Sequence, residues 1–178
     1  MKTLHSDFCI SLYGIDCRMV NMEDVDFILK LRTNPKLNKF MRHTENDKAK
    51  QILWMEEYFK RNQKGEDYYF VYSYKGEPFG VSRISNIHNE FCTGGSWICD
   101  TERMESSIAS FLLSRYIIFE IMEFERDEFD VQVGNKSVRK LHVMMGAKPI
   151  GFTDNQENFV QNKADYLLNK NKLLKFIQ

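Results

Sequence analysis

Two polar segments carry residue types that could do chemistry. The first is "DTERMESSIASFLL", residues 100–113, where Arg103, Ser106 and Ser107 stand at the start of an apolar helical run. A helix N-terminus that follows a strand offers unpaired N–H groups and the positive end of the helix dipole, so it attracts anions. Arg103 adds a fork-shaped cationic donor suited to phosphate, and Ser106 or Ser107 is placed to cap the helix. The same pattern also suits a capped helix that binds nothing. The second segment is "NKSVRKLHVMMGA", residues 135–147. Asn135 stands where a strand gives way to a short helix. His142 follows about two turns later, so both project from one face. Together they would face one cleft, whereas a lone histidine on such a helix also suits simple packing.

These segments need a scaffold of strands and helices. "SLYGIDCRMV" reads as a first strand, and "NMEDVDFILKLRTNP" as a helix capped by Asn21 and stopped at Pro35. "TENDKAKQILWMEEYFKRNQKG" is a second helix closed by Gly65, with Ile52, Met55, Tyr58 and Phe59 at helical spacing. The period then changes to two. "DYYFVYSYKGEPFGVSRISNI" reads as a hairpin turning at Lys75-Gly76. "EFCTGGSWICD" is another strand, whose Gly94-Gly95 points to a bulge or a close backbone approach. A long helix over 107–124 follows, then the strand "DEFDVQV", the helix from Asn135 to Gly146, and two closing strands in "KPIGF" and "NFVQNKADYLLNK". The order is β-α-α-β-β-β-α-β-α-β-β. It predicts an α/β (α+β) fold: a mixed, mainly antiparallel sheet of six to seven strands flanked by about four helices.

Composition bounds the function. The length of 178 residues favours one domain over 1–178. Lys+Arg and Asp+Glu balance at 25 each, so the basic footprint of a nucleic-acid binder is missing. Cys9, Cys17, Cys92 and Cys99 have no zinc-ligand spacing, and no metal is expected. The N-terminal stretch lacks the apolar core of a signal peptide, and no apolar run approaches the ~20 residues that span a bilayer. The expectation is a cytoplasmic protein with reduced, mostly buried thiols and no membrane partner.

The order of elements and the two polar segments resemble the GNAT N-acetyltransferase superfamily over nearly the whole chain. In that family a strand leads into a loop of pattern [Q/R]-x-x-G-x-[G/A]. "RMESSI" supplies Arg103, with Ser106 and Ile108 where glycine is usual. A later family pattern, N-x-x-[A/S]-x-x-x-[Y/H]-x-x-x-G-F, is matched at Asn135, His142 and Gly146, with Val138 and Ala147 as departures.

The resemblance implies acetyl-CoA as co-substrate, held by Trp97, Ile98 and Cys99 on the strand, by Arg103, Met104, Glu105, Ser106, Ser107 and Ile108 in the loop, and by Asn135 and His142. Cys99 is then read through its backbone and is no nucleophile. An amine attacks the thioester directly, and His142 either protonates the leaving sulfur or lines the tunnel. The position where relatives often carry a base is about Thr93, which leaves His88 and Glu90 as candidates, with a water-mediated base as the alternative. Arg32, Trp54 and Arg83 are candidates for the acceptor side. The stretch "ILKLRTNPKLNKFM…AKQILWMEEYFKR", with Gln51 and Trp54, is similar to GNAT enzymes that acetylate amino-sugar nucleotides for surface glycans. That acceptor ranks first. The alternatives are acetylation of a protein N-terminus and a degenerate fold acting as a non-catalytic binding module. A monomer or a homodimer is equally compatible.

Overall fold

The computed structural model describes residues 1–177. The chain opens with a hairpin, β1 (Cys9–Leu12) and β2 (Ile15–Met19). The sequence pattern predicts one strand here. Tyr13 and Gly14 both adopt positive φ, 58° and 75°, and fold it back on itself. That two-residue turn matches the twist of the strands it joins. Asn21 caps a single 3-10 turn that runs into α1 (Val25–Thr33). Asp47 caps α2 (Lys48–Gln63) by accepting from the Lys50 amide at 3.1 Å.

β3 (Tyr68–Tyr74) and β4 (Glu77–Ser85) form the expected hairpin across Lys75-Gly76. β5 (Phe91–Cys99) pairs antiparallel with β4. α3 (Met104–Tyr116) then crosses over and ends in a π turn, Ile117–Ile121. β6 (Arg126–Gln132) returns parallel to β5. α4 (Lys136–Met144), β7 (Lys148–Thr153), β8 (Gln156–Asn162), α5 (Lys163–Asn169) and α6 (Asn171–Leu174) complete the chain.

The sheet order is β1-β2-β3-β4-β5-β6-β8-β7, eight strands, where six to seven were expected; the early hairpin accounts for the extra one. The tail "ADYLLNK" is helix α5, not strand. Its buried Tyr166 stacks on Phe119, while the exposed Leu167 and Leu168 leave no alternating apolar face. α5 and the short α6 also exceed the four helices expected. Gly146 closes α4 at φ 90°. An added Cβ there would lie 2.8 Å from Asn169 Nδ2 and 3.0 Å from Asp165, so the turn beside α5 has room for glycine alone.

Two apolar clusters cover the two faces. On one, α3 buries Ile108, Phe111, Leu112 and Leu113 against Tyr68, Phe70 and Tyr72. On the other, α1 and α2 bury Ile28, Leu31, Met55 and Tyr58 against Tyr69, Val71, Val81 and Ile98. Alternation along each strand thus assigns every strand residue to the α3 side or the α1/α2 side.

Candidate active site

β5 and β6 touch only at their beginnings, where Phe91 pairs with Arg126 and Cys92 with Asp127. Beyond Cys92 the strands part, and the β6-facing backbone of β5 has no strand partner. A side chain ends the ladder. Asp127 Oδ1 accepts the Gly94 amide at 2.7 Å, and its other oxygen pairs with Arg115 from α3. Both charged groups are buried. Gly94 is a close approach: an added Cβ would lie 2.8 Å from both the Arg115 guanidinium and Ile118. The bulge comes just after it, at Ser96 and Trp97, which together stand opposite a single residue of β4, with Ser96 at φ 50°.

The opening leads into a cleft of about 610 Å³. β5 contributes Thr93 to Trp97, β6 contributes Phe129 to Gln132, and Asn135, Val138 and His142 come from the start and the inner face of α4. The same cleft continues over the α1/α2 side, lined by Arg32, Trp54, Tyr69, Arg83 and the segment before α2.

His142 and Asn135 meet in this cleft, as their spacing requires. The imidazole lies between Phe111 and Phe129, with ring centroids 5.0 and 4.1 Å away, and its Nδ1 is buried with no hydrogen-bond partner. Arg115 lies against the same two phenyl rings. Burial, reinforced by the Arg115 charge, holds the His142 pKa well below the ordinary imidazole value, so the ring is neutral near pH 7. Asn135 Oδ1 caps α4 by accepting the Val138 amide, which leaves its amide nitrogen to donate elsewhere.

On β5, Trp97 lines the cleft and donates its indole N–H to Ser110 Oγ at 3.0 Å. Ile98 is buried against α1 and α2. The Cys99 thiol sits 3.3 Å from Ser110, and burial pushes its pKa up to about 12, so it stays protonated. The segment 103–108 stands at the N-terminus of α3, outside the lining of this cleft. Neither Ser106 nor Ser107 caps the helix. The cap position is Arg103, whose amide donates to Thr101 Oγ1. Arg103 stacks over Tyr74 at 4.3 Å, with Met104 and Glu105 exposed. Ser106 and Ile108 are buried, pointing inward, and no residue from 103 to 108 has a positive φ. Glycine is therefore not demanded there, and these side chains leave the outward amides uncovered.

The acceptor-side residues are unequal. Arg83 is committed to the buried Asp67, at 2.7 and 2.6 Å, and Arg61 joins the same carboxylate. Arg32 gives its Nε to Thr44 Oγ1, at 2.9 Å, and its guanidinium also lies beside the Tyr69 hydroxyl. Trp54 stacks on Tyr58 with the Arg61 and Arg83 guanidinium groups over its ring. The buried Tyr69 hydroxyl lies beside the Arg32 guanidinium. Glu90 does not reach the cleft: it is exposed on the β4–β5 turn, where its carbonyl accepts the Glu125 and Arg126 amides. His88 is on the same turn, stacked on Phe91. Asp130, Gln132 and Gln156, which no motif in the sequence singles out, also line the cleft. Alternation along "DEFDVQV" could have revealed Asp130, since Phe129 and Val131 must face the core. Among the described residues no cluster of His, Cys, Asp and Glu could hold a metal ion, and no helix is long and apolar enough to cross a membrane.

The parallel strand pair parts beside a bulge, with α3 and α4 alongside, in keeping with the GNAT fold that the sequence resembles. Comparison with solved structures agrees. The chain is similar to apo FdhC, described as a nucleotide-linked sugar GNAT, at 30% identity over 97% of this chain and 99% of that one, with a TM-score of 0.84. The chain belongs to the GNAT acetyltransferase family. It shares the fold, at 12% identity and TM-score 0.75, with the ribosomal-protein-S5-alanine acetyltransferase from Vibrio fischeri, covering 90% of this chain and 99% of that one. A spermidine N-acetyltransferase SpeG chimera from Vibrio cholerae follows at 15% identity and TM-score 0.70, over 86% and 98%. No protein-family model and no curated protein sequence matches the chain.

Proposed function

We propose that this protein transfers an acetyl group from acetyl-CoA to a primary amine on a nucleotide-linked sugar. One observation carries the reading: a single cleft joins the β5/β6 opening, with Asn135 and His142, to a polar floor bearing Arg32, Trp54, Tyr69 and Arg83. A planar aromatic ring beside several polar groups suits a sugar nucleotide better than a bare polyamine or an extended peptide. The similarity to a nucleotide-linked sugar GNAT along nearly the full length of both chains supports the same acceptor class.

Acetyl-CoA supplies an activated thioester; the chain supplies everything else. The unpaired edge of β5 is shaped to hold an extended arm as an added strand would be held. The Asn135 amide nitrogen adds a donor from the α4 side. Arg103 and the outward amides at the start of α3 form the phosphate end. His142 is neutral and so is no proton source; it lines the tunnel, where a ring N–H offers a hydrogen bond to the departing sulfur, and the sulfur takes its proton from the second one that the nitrogen gives up.

Thermal melting with acetyl-CoA tests the first half. Ligand at about 100 times its Kd stabilises by ~2.7 kcal/mol, and no shift at millimolar concentration defeats the reading. Thiol release with UDP-linked amino sugars, spermidine and an alanine-leading peptide tests the second half. Turnover restricted to the peptide would favour acetylation of a protein N-terminus. Binding without turnover on any amine would make the chain a binding module.

A further inference from the structure

At the acceptor end, the residues that matter lie in one row across the sheet. Tyr69 is opposite Arg83, and Arg83 is opposite Gly95. Directly opposed residues share a face. The last paired position of β5 and β6 is Cys92 with Asp127. Continuing that parallel register brings Asp130 across the opening from Gly95. On its other side Asp130 is opposite Asn158 of β8. Its neighbours Phe129 and Val131 are buried with Phe159 and Ala147. Alternation therefore turns the Asp130 carboxylate to the α1/α2 side, the acceptor floor.

Among the described residues, the carboxylates lining the cleft are Glu45, Asp47 and Asp130. Asp47 is spent as the α2 cap and Glu45 as the ion partner of Lys50. Among the described residues, Asp130 has no hydrogen-bond or ion-pair partner, and it lines the cleft. The space before it is open as well: a Cβ built on Gly95 would meet nothing within 4 Å. An unspent carboxylate faces a strand position without a side chain, at the mouth of the opening.

We propose that Asp130 is a catalytic residue that binds the acceptor ammonium and removes its first proton, in place of the Glu90 carboxylate that lies outside the cleft. The assignment rests on the acetyltransferase reading above. Asp130 takes one proton from the ammonium and, being exposed, passes it to solvent. The neutral nitrogen then bonds to the acyl carbon as the carbon–sulfur bond breaks. The nitrogen gives up a second proton, and the sulfur gains one, so the products are an amide, a thiol and one proton released to water. Gln132 and Gln156, opposite each other on the same face, are left to contact the sugar beside the amine.

The test uses the full-length chain with Asp130→Asn and Asp130→Glu. Both substitutions are at an exposed position, so folding is kept. Expected are a melting shift with acetyl-CoA equal to that of the parent and a fall in kcat of about 100-fold or more for Asp130→Asn, on whichever of the UDP-linked amino sugars, spermidine or peptide the parent acetylates. Asp130→Glu recovers part of the loss. An Asp130→Asn chain that binds acetyl-CoA and turns over within about tenfold of the parent overturns the assignment alone. A parent chain that neither shifts with acetyl-CoA nor releases thiol overturns the assignment together with the reading it rests on.

Discussion

The Gly94 amide donates to the Asp127 carboxylate at 2.7 Å, and this bond marks where β5 and β6 separate. A side-chain oxygen takes the hydrogen bond that a β6 carbonyl would have taken had the ladder continued. Arg115 neutralises the carboxylate from α3, so one buried ion pair ties the helix to both strands at the apex of the opening. The cleft is thus held open by a named pair and not by a loop.

Removing one partner of that pair should be costly. Asp127→Asn leaves the Arg115 guanidinium buried without its counter-charge, and losses of about 3–5 kcal/mol are usual in such cases. Gly94→Ala places a methyl group 2.8 Å from the same guanidinium and should cost about 1–3 kcal/mol. Urea denaturation measures both. A midpoint unchanged in either variant would show that the apex is not under this constraint.

His142 should make stability depend on pH. Its folded pKa is depressed by burial and by Arg115, whereas in the unfolded chain it lies near ~6.5. Below that value the unfolded chain binds a proton that the folded chain refuses. The contribution is therefore complete above about pH 7 and is lost as pH falls, with a slope approaching ~1.4 kcal/mol per pH unit. His5, His43 and His88 are all exposed. His142→Gln should flatten the profile between about pH 6.5 and 5; equal slopes in the two proteins would count against a buried neutral imidazole.

The two acceptor-side arginines should separate cleanly. Arg83 is bound bidentately to a carboxylate that is 1% exposed. Arg83→Ala strips Asp67 of that partner and should cost about 3 kcal/mol of stability. Arg32 donates to the Thr44 hydroxyl and lies beside the Tyr69 hydroxyl, and among the described residues it pairs with no carboxylate. Arg32→Ala should leave the melting temperature nearly unchanged and raise KM for the acceptor while KM for acetyl-CoA stays put. Equal destabilisation by both substitutions would remove Arg32 from the acceptor site.

Much of this arrangement was legible in the residues themselves. The Asn135–His142 spacing needs only helix geometry, and both residues do line one cleft. The Lys75-Gly76 hairpin and the Gly65 and Gly146 helix ends follow from local backbone chemistry. What escaped depends on tertiary context. Tyr13-Gly14 was missed as a turn because a tyrosine at positive φ carries no compositional signal. Glu90 seemed near the reaction in sequence, yet the turn that bears it sits at the paired end of β5, away from the opening. Asp130 is separated from Gly95 by a helix and a crossover, and only the register of β5 on β6 brings them face to face.

The loop at the start of α3 yields a test that runs against the family pattern. Ser106 and Ile108 stand where glycine is usual, which suggests a loop closed to phosphate. In this structure both side chains are buried, and residues 103–108 all keep negative φ. Glycine is required where φ is positive or where a ligand meets the Cβ; neither condition holds here. Ser106→Gly should therefore leave KM for acetyl-CoA unchanged and weaken α3 by ~0.5 kcal/mol through lost helix propensity. Arg103, held over Tyr74 and otherwise uncommitted, carries the charge at this end. Arg103→Ala should raise KM for acetyl-CoA by roughly tenfold, the equivalent of about 1.4 kcal/mol, with kcat nearly constant, as expected for a contact made equally in ground and transition states. Tighter binding in Ser106→Gly, or an unmoved KM in Arg103→Ala, would take the phosphate end away from this loop.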